Sequence, residues 1–211
     1  MNFDFKKIDR GLYTAKGEPQ IIDVPEMKYI AVRGKGNPNE VNGAYSHAIS
    51  VLYAIVYTIR MSYKGSRKIK GFFKFVVPPL EGFWWQEDIK GVDYSNKNTF
   101  SWIAVIRVPD FVAEEDFKWA VEQVTKKKKL DCSLAEYVVM KEGLCVQMMH
   151  IGPFDDEPTT VAIMDEFLRE NGYDNDFTDE RLHHEIYLSD ARKVEAEKWK
   201  TIIRHPIKKR F

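Results

Sequence analysis

One order of signals occurs twice in this chain, and it limits the fold more than any single segment does. In the first half a strand pattern at Tyr29–Arg33 meets Gly34-Lys35-Gly36, then a helical pattern, then a strand ending in Glu81-Gly82-Phe83. In the second half a strand meets Ile151-Gly152-Pro153, then a helical pattern, then a strand holding Glu185-Ile186-Tyr187. Each half is a strand–helix–strand–strand unit able to bury one sheet face, so two units are expected to pair. The expected architecture is α+β: an antiparallel sheet with helices on one face and a concave ligand cleft on the other. It forms a single domain over residues 1–211, built of two pseudo-repeats at about 23–110 and 111–211.

Enrichment in β-branched and aromatic residues predicts strands over Tyr29–Arg33, Phe72–Val77, Trp102–Val108, Tyr137–Met140, Leu144–His150 and His184–Leu188. Helical spacing predicts helices over Ala44–Met61, Glu114–Lys126, Thr159–Asn171 and Glu195–Arg204. In the third of these Val161, Met164 and Leu168 share one face, and Asn171-Gly172 supplies a left-handed stop. Trp119 and Trp199 fall on amphipathic helical patterns and are assigned to the core.

Hydrophobic residues make up 44% of the chain and aromatics 13%, enough apolar material for a packed interior. Lys plus Arg and Asp plus Glu each total 32, so the net charge is zero and no global field favours nucleic acid or an anionic membrane. The run Lys126-Lys127-Lys128-Lys129 follows an acidic-start helical segment, where basic residues near a C-terminus are favourable without any ligand. Cys132 and Cys145 make neither a disulfide framework nor a zinc site. The N-terminus lacks a signal-peptide core, and the longest apolar stretch, Ala48 to Ile59, is shorter than the ~20 residues of a membrane span. A cytoplasmic protein is expected, and a homodimer is compatible with the sequence.

The most informative chemistry lies in the strand His183–Leu188. Alternation puts His183, Glu185 and Tyr187 on one face and His184, Ile186 and Leu188 on the other. Ile186 and Leu188 suit the helix-packed side, which turns Glu185 and Tyr187 toward the cleft. A mid-strand carboxylate is costly to desolvate unless it is paired or used; a solvent-facing or salt-bridged glutamate fits the same pattern. Flat rings lie close by in sequence, at Phe83-Trp84-Trp85 and Trp102, and alternation groups Phe83 with Trp85 and leaves Trp84 opposite. No phosphate-binding glycine loop, nucleophile elbow or paired-histidine zinc motif is present. His183 and His184 point to opposite faces and cannot share one ion, so no metal is expected.

Longer motifs surround these residues. Glu142–Phe154, Glu157-Pro158-Thr159-Thr160 and His183–Asp190 resemble the GyrI-like small-molecule-binding domain. Val24-Pro25-Glu26-Met27, Gly34–Asn39 and Pro78–Trp85 are similar to a longer, stand-alone bacterial subgroup. The resemblance implies the duplicated fold shared with SOUL haem-binding proteins and with effector domains of multidrug-sensing regulators, with a central ligand cleft. No helix-turn-helix pattern precedes Val24, so the regulator role does not transfer; Ala191 stands where similar sequences place Pro.

The resemblance also implies that Glu185 meets cationic or aromatic lipophilic ligands, and that some stand-alone members hydrolyse cyclopropane-bearing DNA-alkylating compounds. On that reading Glu185 is the catalytic carboxylate, deprotonating a water that opens the strained ring. Trp102, Trp85, Phe83, Tyr187, His183 and Glu81 are the candidate ligand-binding residues, and no cofactor is expected. The rival readings are a multidrug-binding protein without catalysis and a gyrase-interacting protein.

Overall fold

The computed structural model describes residues 2–89 and 92–210. Two short helices, α1 (Phe5–Ile8) and α2 (Arg10–Tyr13), lead into β1 (Gln20–Lys35), α3 (Ala44–Arg60), β2 (Leu80–Trp85), β3 (Ser101–Val108) and α4 (Glu114–Lys128). β4 (Ala135–Ile151), α5 (Glu157–Glu170), β5 (Tyr173–Asn175), β6 (His183–Tyr187) and β7 (Lys200–Lys209) complete the chain. The sheet runs β4-β1-β3-β2-β6-β7, every pairing is antiparallel, and β4 pairs back onto β7, so six strands close into a barrel. β5 extends the sheet from β7.

Closure gives each strand an inner and an outer face with a period of two. Tyr29, Ala31, Phe83, Ile103, Val105 and Cys145 fill the inside. Ile30, Val32, Trp84, Trp102, Ala104 and Ile106 point outward beneath α3 and α4. β3 is therefore buried on both faces along its whole length, which explains why Trp102–Val108 is almost continuously apolar. α3 presents Ala48, Val51, Leu52, Ile55 and Ile59 at three- and four-residue spacing, all fully buried against the barrel. Each such Leu or Ile contributes about 1.5–3 kcal/mol. α5 covers the β4–β7 side through Met164 and Leu168, packed on Val146, Met148 and Ile203. Among the described residues no helix is long and apolar enough to cross a membrane.

The barrel's interior is not purely apolar. His184 lies between Glu81 (3.1 Å) and Glu142 (3.0 Å), and Arg204 binds the other oxygen of Glu142 at 3.0 Å. Gln147 accepts from Arg204 and donates to the Gly11 carbonyl, Arg204 donates to Leu12, and the Tyr13 hydroxyl donates to Glu81. The network thus ties the α1–α2 plug into the barrel mouth. Two carboxylates facing one guanidinium favour a charged imidazole, and the Glu142 carboxylate beside His184 raises the affinity of that imidazole for its proton despite burial. Glu142, itself fully enclosed, is held down at about 2 by His184 and Arg204 against the cost of burial.

Three sequence expectations change here. Residues 195–204 form no α-helix: a single 3-10 turn at Ala196–Lys198 leads into β7, whose Thr201–Ile207 is buried on both faces between β4 and β6. A doubly buried strand and a buried helix share the same run of apolar residues, so periodicity does not separate them. Trp199 consequently leaves the core and packs half-buried on Phe154 at 4.8 Å. Phe72–Val77 makes a single bridge, Phe75 to Phe3, because Pro78-Pro79 brings no N–H donors and ends any ladder. The two predicted strands Tyr137–Met140 and Leu144–His150 are one strand, β4, running through Gly143 at φ +67°. Trp119 lies on α4, partly buried against the main core.

Candidate functional site

β6 projects His183, Glu185 and Tyr187 from the barrel's outer face, and the neighbouring strands decide what they meet. Antiparallel pairing sets Gly82 opposite Glu185 and Trp84 opposite His183, and directly opposed residues share a face. The Trp84 indole donates to the Tyr187 hydroxyl at 3.1 Å, and that hydroxyl donates to Glu185 Oε2 at 2.7 Å. His183 Nε2 lies 3.0 Å from Glu185 Oε1, while its Nδ1 lies 2.7 Å from His205 Nε2 of β7. Across the groove the first turn of α5 contributes Glu157, which accepts from the Tyr94 hydroxyl at 2.7 Å. Tyr94 belongs to the β2–β3 connection, held in place by Gln86 through Thr99 and the Asp93 amide.

Burial makes these groups unusual. Glu157 is 0% exposed, His183 1% and Glu185 6%, yet no lysine or arginine hydrogen-bonds either carboxyl among the described residues. Burial first, and the Glu185 charge second, push the Glu157 carboxyl well above the ordinary carboxylate range. Two ionised carboxylates about 4 Å apart would repel by about 4 kcal/mol at an effective dielectric of about 20, which a single shared proton removes. His205 is kept neutral by burial and by His183. The Tyr187 and Tyr94 phenols are raised by burial and by Glu185, so both remain hydrogen-bond donors at neutral pH.

Rings pack closely around this cluster. Tyr45 of α3 lies 5.1 Å from Trp84 and edge-on to Trp102 at 5.0 Å; Phe154 meets Tyr187 edge-on at 5.6 Å. Trp102 seats on Gly34, where a Cβ would come within 2.3 Å of the indole, so this backbone approach requires glycine. Gly36, at φ +104°, makes the turn that follows. A hollow of about 230 Å³ lies on the far side of His183 and Tyr94, lined by these two and by Pro158, Val161, Phe177 and His205; neither carboxyl opens into it. Glu157, His183 and Glu185 offer three donor atoms within 4.8 Å of one another, a span that suits a metal ion. Hydrogen bonds already occupy three of the four carboxylate oxygens, and only Glu157 Oε1 is left over, so a proton completes the set without a cation.

Of the residues singled out from sequence, Glu185, His183 and Tyr187 come together, whereas Trp102 lies behind Tyr45 in the core. Glu81, Phe83 and Trp85 are not brought to them. All three face the interior: Phe83 stacks on His184 at 4.0 Å, Glu81 binds His184 and Tyr13, and Trp85 packs with the inner cluster. Trp84, placed opposite by sequence, is the tryptophan beside Tyr187, because the β2–β6 register, unknown beforehand, sets which parity matches Glu185. Ile186 likewise faces the interior, against Phe5 and Tyr13 of the plug, while Glu185 shares the outer face with α3 and α5. Sequence reading missed Glu157, Tyr94, His205 and Tyr45. The Glu157-Pro158 start of α5 was a usable signal for the first; nothing local marks the others.

A closed antiparallel barrel thus carries a buried carboxyl pair among aromatic rings on its outer face, between α3 and α5. The chain belongs to the GyrI-like small molecule binding domain family, whose model matches residues 17–208. Comparison with curated proteins finds no match. Among solved structures, a hydrolase from Listeria innocua is similar at 45% identity and TM-score 0.89, covering 98% of this chain and 100% of that one. An uncharacterized conserved protein from Listeria innocua is similar at 47% identity and TM-score 0.91, with the same coverage. A hydrolase encoded by lin2189 from Listeria innocua shares 46% identity at TM-score 0.91 over 99% of this chain and 100% of that one.

Proposed function

We propose that this protein binds bulky aromatic or lipophilic compounds in the groove at Glu185 and hydrolyses those bearing a conjugated cyclopropane, a detoxifying reaction suited to the cytoplasm. One observation carries the reading: Glu185 is nine-tenths buried without a lysine or arginine partner, beside flat rings and hydroxyl donors. Burying a carboxylate costs stability, which hydrogen bonds with Tyr187 and His183 offset, and so leaves a carboxylate held in one orientation. The two similar Listeria innocua proteins described as hydrolases add support for catalysis.

In the proposed reaction a ligand displaces Tyr94 and stacks between Trp84, Tyr45 and Phe154, with Trp102 supporting Tyr45 from behind. Glu185, oriented by His183 and Tyr187, takes a proton from a water whose oxygen bonds to a ring carbon. The strained C–C bond breaks, its electron pair moves into the conjugated system, and the far end of that system takes up a proton from solvent, to which Glu185 releases the one it took. Incubation with a spirocyclopropyl dienone, followed by mass spectrometry, tests this. The expected result is water addition, reduced about 10²–10⁴-fold in Glu185→Gln. Equal turnover in that variant removes Glu185 as the base, and intact compound recovered at one equivalent per chain means binding without catalysis.

A further inference from the structure

We infer that Glu157 works as a neutral carboxylic acid, a positioning residue that donates its hydrogen bond to Glu185 and holds that neighbour in place as the base. The two carboxyl groups, on α5 and β6 respectively, bring oxygen atoms within 4.8 Å of each other. Glu157 is wholly buried, and its Oε1 has no hydrogen-bond partner among the described residues. A proton on that oxygen satisfies both at once: it gives Oε1 a donor role and removes the repulsion between like charges.

Every element packed against Glu157 contributes to this state. The charged or titratable groups facing it are Glu185 and His183 from β6, Tyr187 from the same strand, Tyr94 from the β2–β3 connection and Asp155 just before α5. No lysine or arginine is among them, and His183 spends its ring nitrogens on His205 and Glu185. Burial and the Glu185 charge both hold the proton on Glu157. Glu185 then receives hydrogen bonds from three directions, His183, Tyr187 and Glu157. During turnover water gives its proton to Glu185, Glu185 returns it through solvent as the far end of the opened conjugated system is protonated, and Glu157 keeps its own.

The kinetic part of this inference rests on the hydrolytic reading; the protonation state does not, and the two are tested separately. Infrared difference spectra at about pH 7 are expected to show a protonated-carboxyl band that disappears in Glu157→Gln and persists in Glu185→Gln. With the spirocyclopropyl dienone, Glu157→Ala is expected to lose about tenfold or more in kcat. Glu157→Gln, which keeps a neutral donor in place, restores most of that loss and lacks the alkaline decline that wild type shows as Glu157 ionises. Absence of the band in wild type, its survival in Glu157→Gln, or equal losses in the Ala and Gln variants overturns the inference. A wild type that leaves the dienone intact counts against the hydrolytic reading, and the infrared band still decides the state of Glu157.

Discussion

Replacing Glu142 with Gln removes the charge that holds His184 and Arg204 together inside the barrel. The wild-type carboxyl sits at about 2, against 4.5 in the unfolded chain. At about 1.4 kcal/mol per pH unit, that difference corresponds to about 3 kcal/mol of stability, the lower end of what breaking a buried ion pair costs. Because the folded value is depressed, this contribution is complete above about pH 5 and fades as the pH falls through 4.5 toward 2. Urea unfolding of wild type and Glu142→Gln at about pH 7 should therefore give midpoints differing by about 3 kcal/mol, equivalent to about 6–12 °C in Tm for a chain of this size. Repeated near pH 3, the difference should shrink by at least half. Arg204 also holds the Leu12 carbonyl, so limited proteolysis of the α1–α2 plug should accelerate in the variant. A difference below about 1 kcal/mol at neutral pH, or one that does not change with pH, would refute the charge-balanced interior.

Gly34→Ala drives a methyl group into the Trp102 indole and should cost about 1–3 kcal/mol in urea unfolding, with the tryptophan emission shifted, since the ring must leave its seat between Gly34 and Tyr45. His184, raised by its carboxylate neighbours, contributes stability that is complete below about pH 6.5 and is lost as the pH climbs through the raised folded value. Unfolding free energies measured from about pH 6 to pH 9 should decline in wild type and stay flatter in His184→Gln; parallel curves would remove the imidazolium from the network.

Much of the architecture is written locally. The helical spacing of Ala48, Val51, Leu52, Ile55 and Ile59 announces α3, and the face of Val161, Met164 and Leu168 announces α5. Alternation alone puts His183, Glu185 and Tyr187 on one side of a strand, because consecutive side chains of extended backbone must point oppositely. β7 escaped detection for a physical reason: burial on both faces erases the period that distinguishes a strand.

What the chain's order of residues determined by itself was the set of elements with a strong period, and the parity of side chains within each. Which parities coincide was decided only by tertiary pairing. The register of β2 on β6 brings Trp84 to the Glu185 face and sends Glu81, Phe83 and Trp85 inside. The packing of α5 and of the β2–β3 connection delivers Glu157 and Tyr94 from 28 and 91 residues away. Strand periodicity is a property of neighbouring peptide units, whereas register and helix docking are set by burial between distant segments, so the carboxyl pair exists only once the barrel has closed.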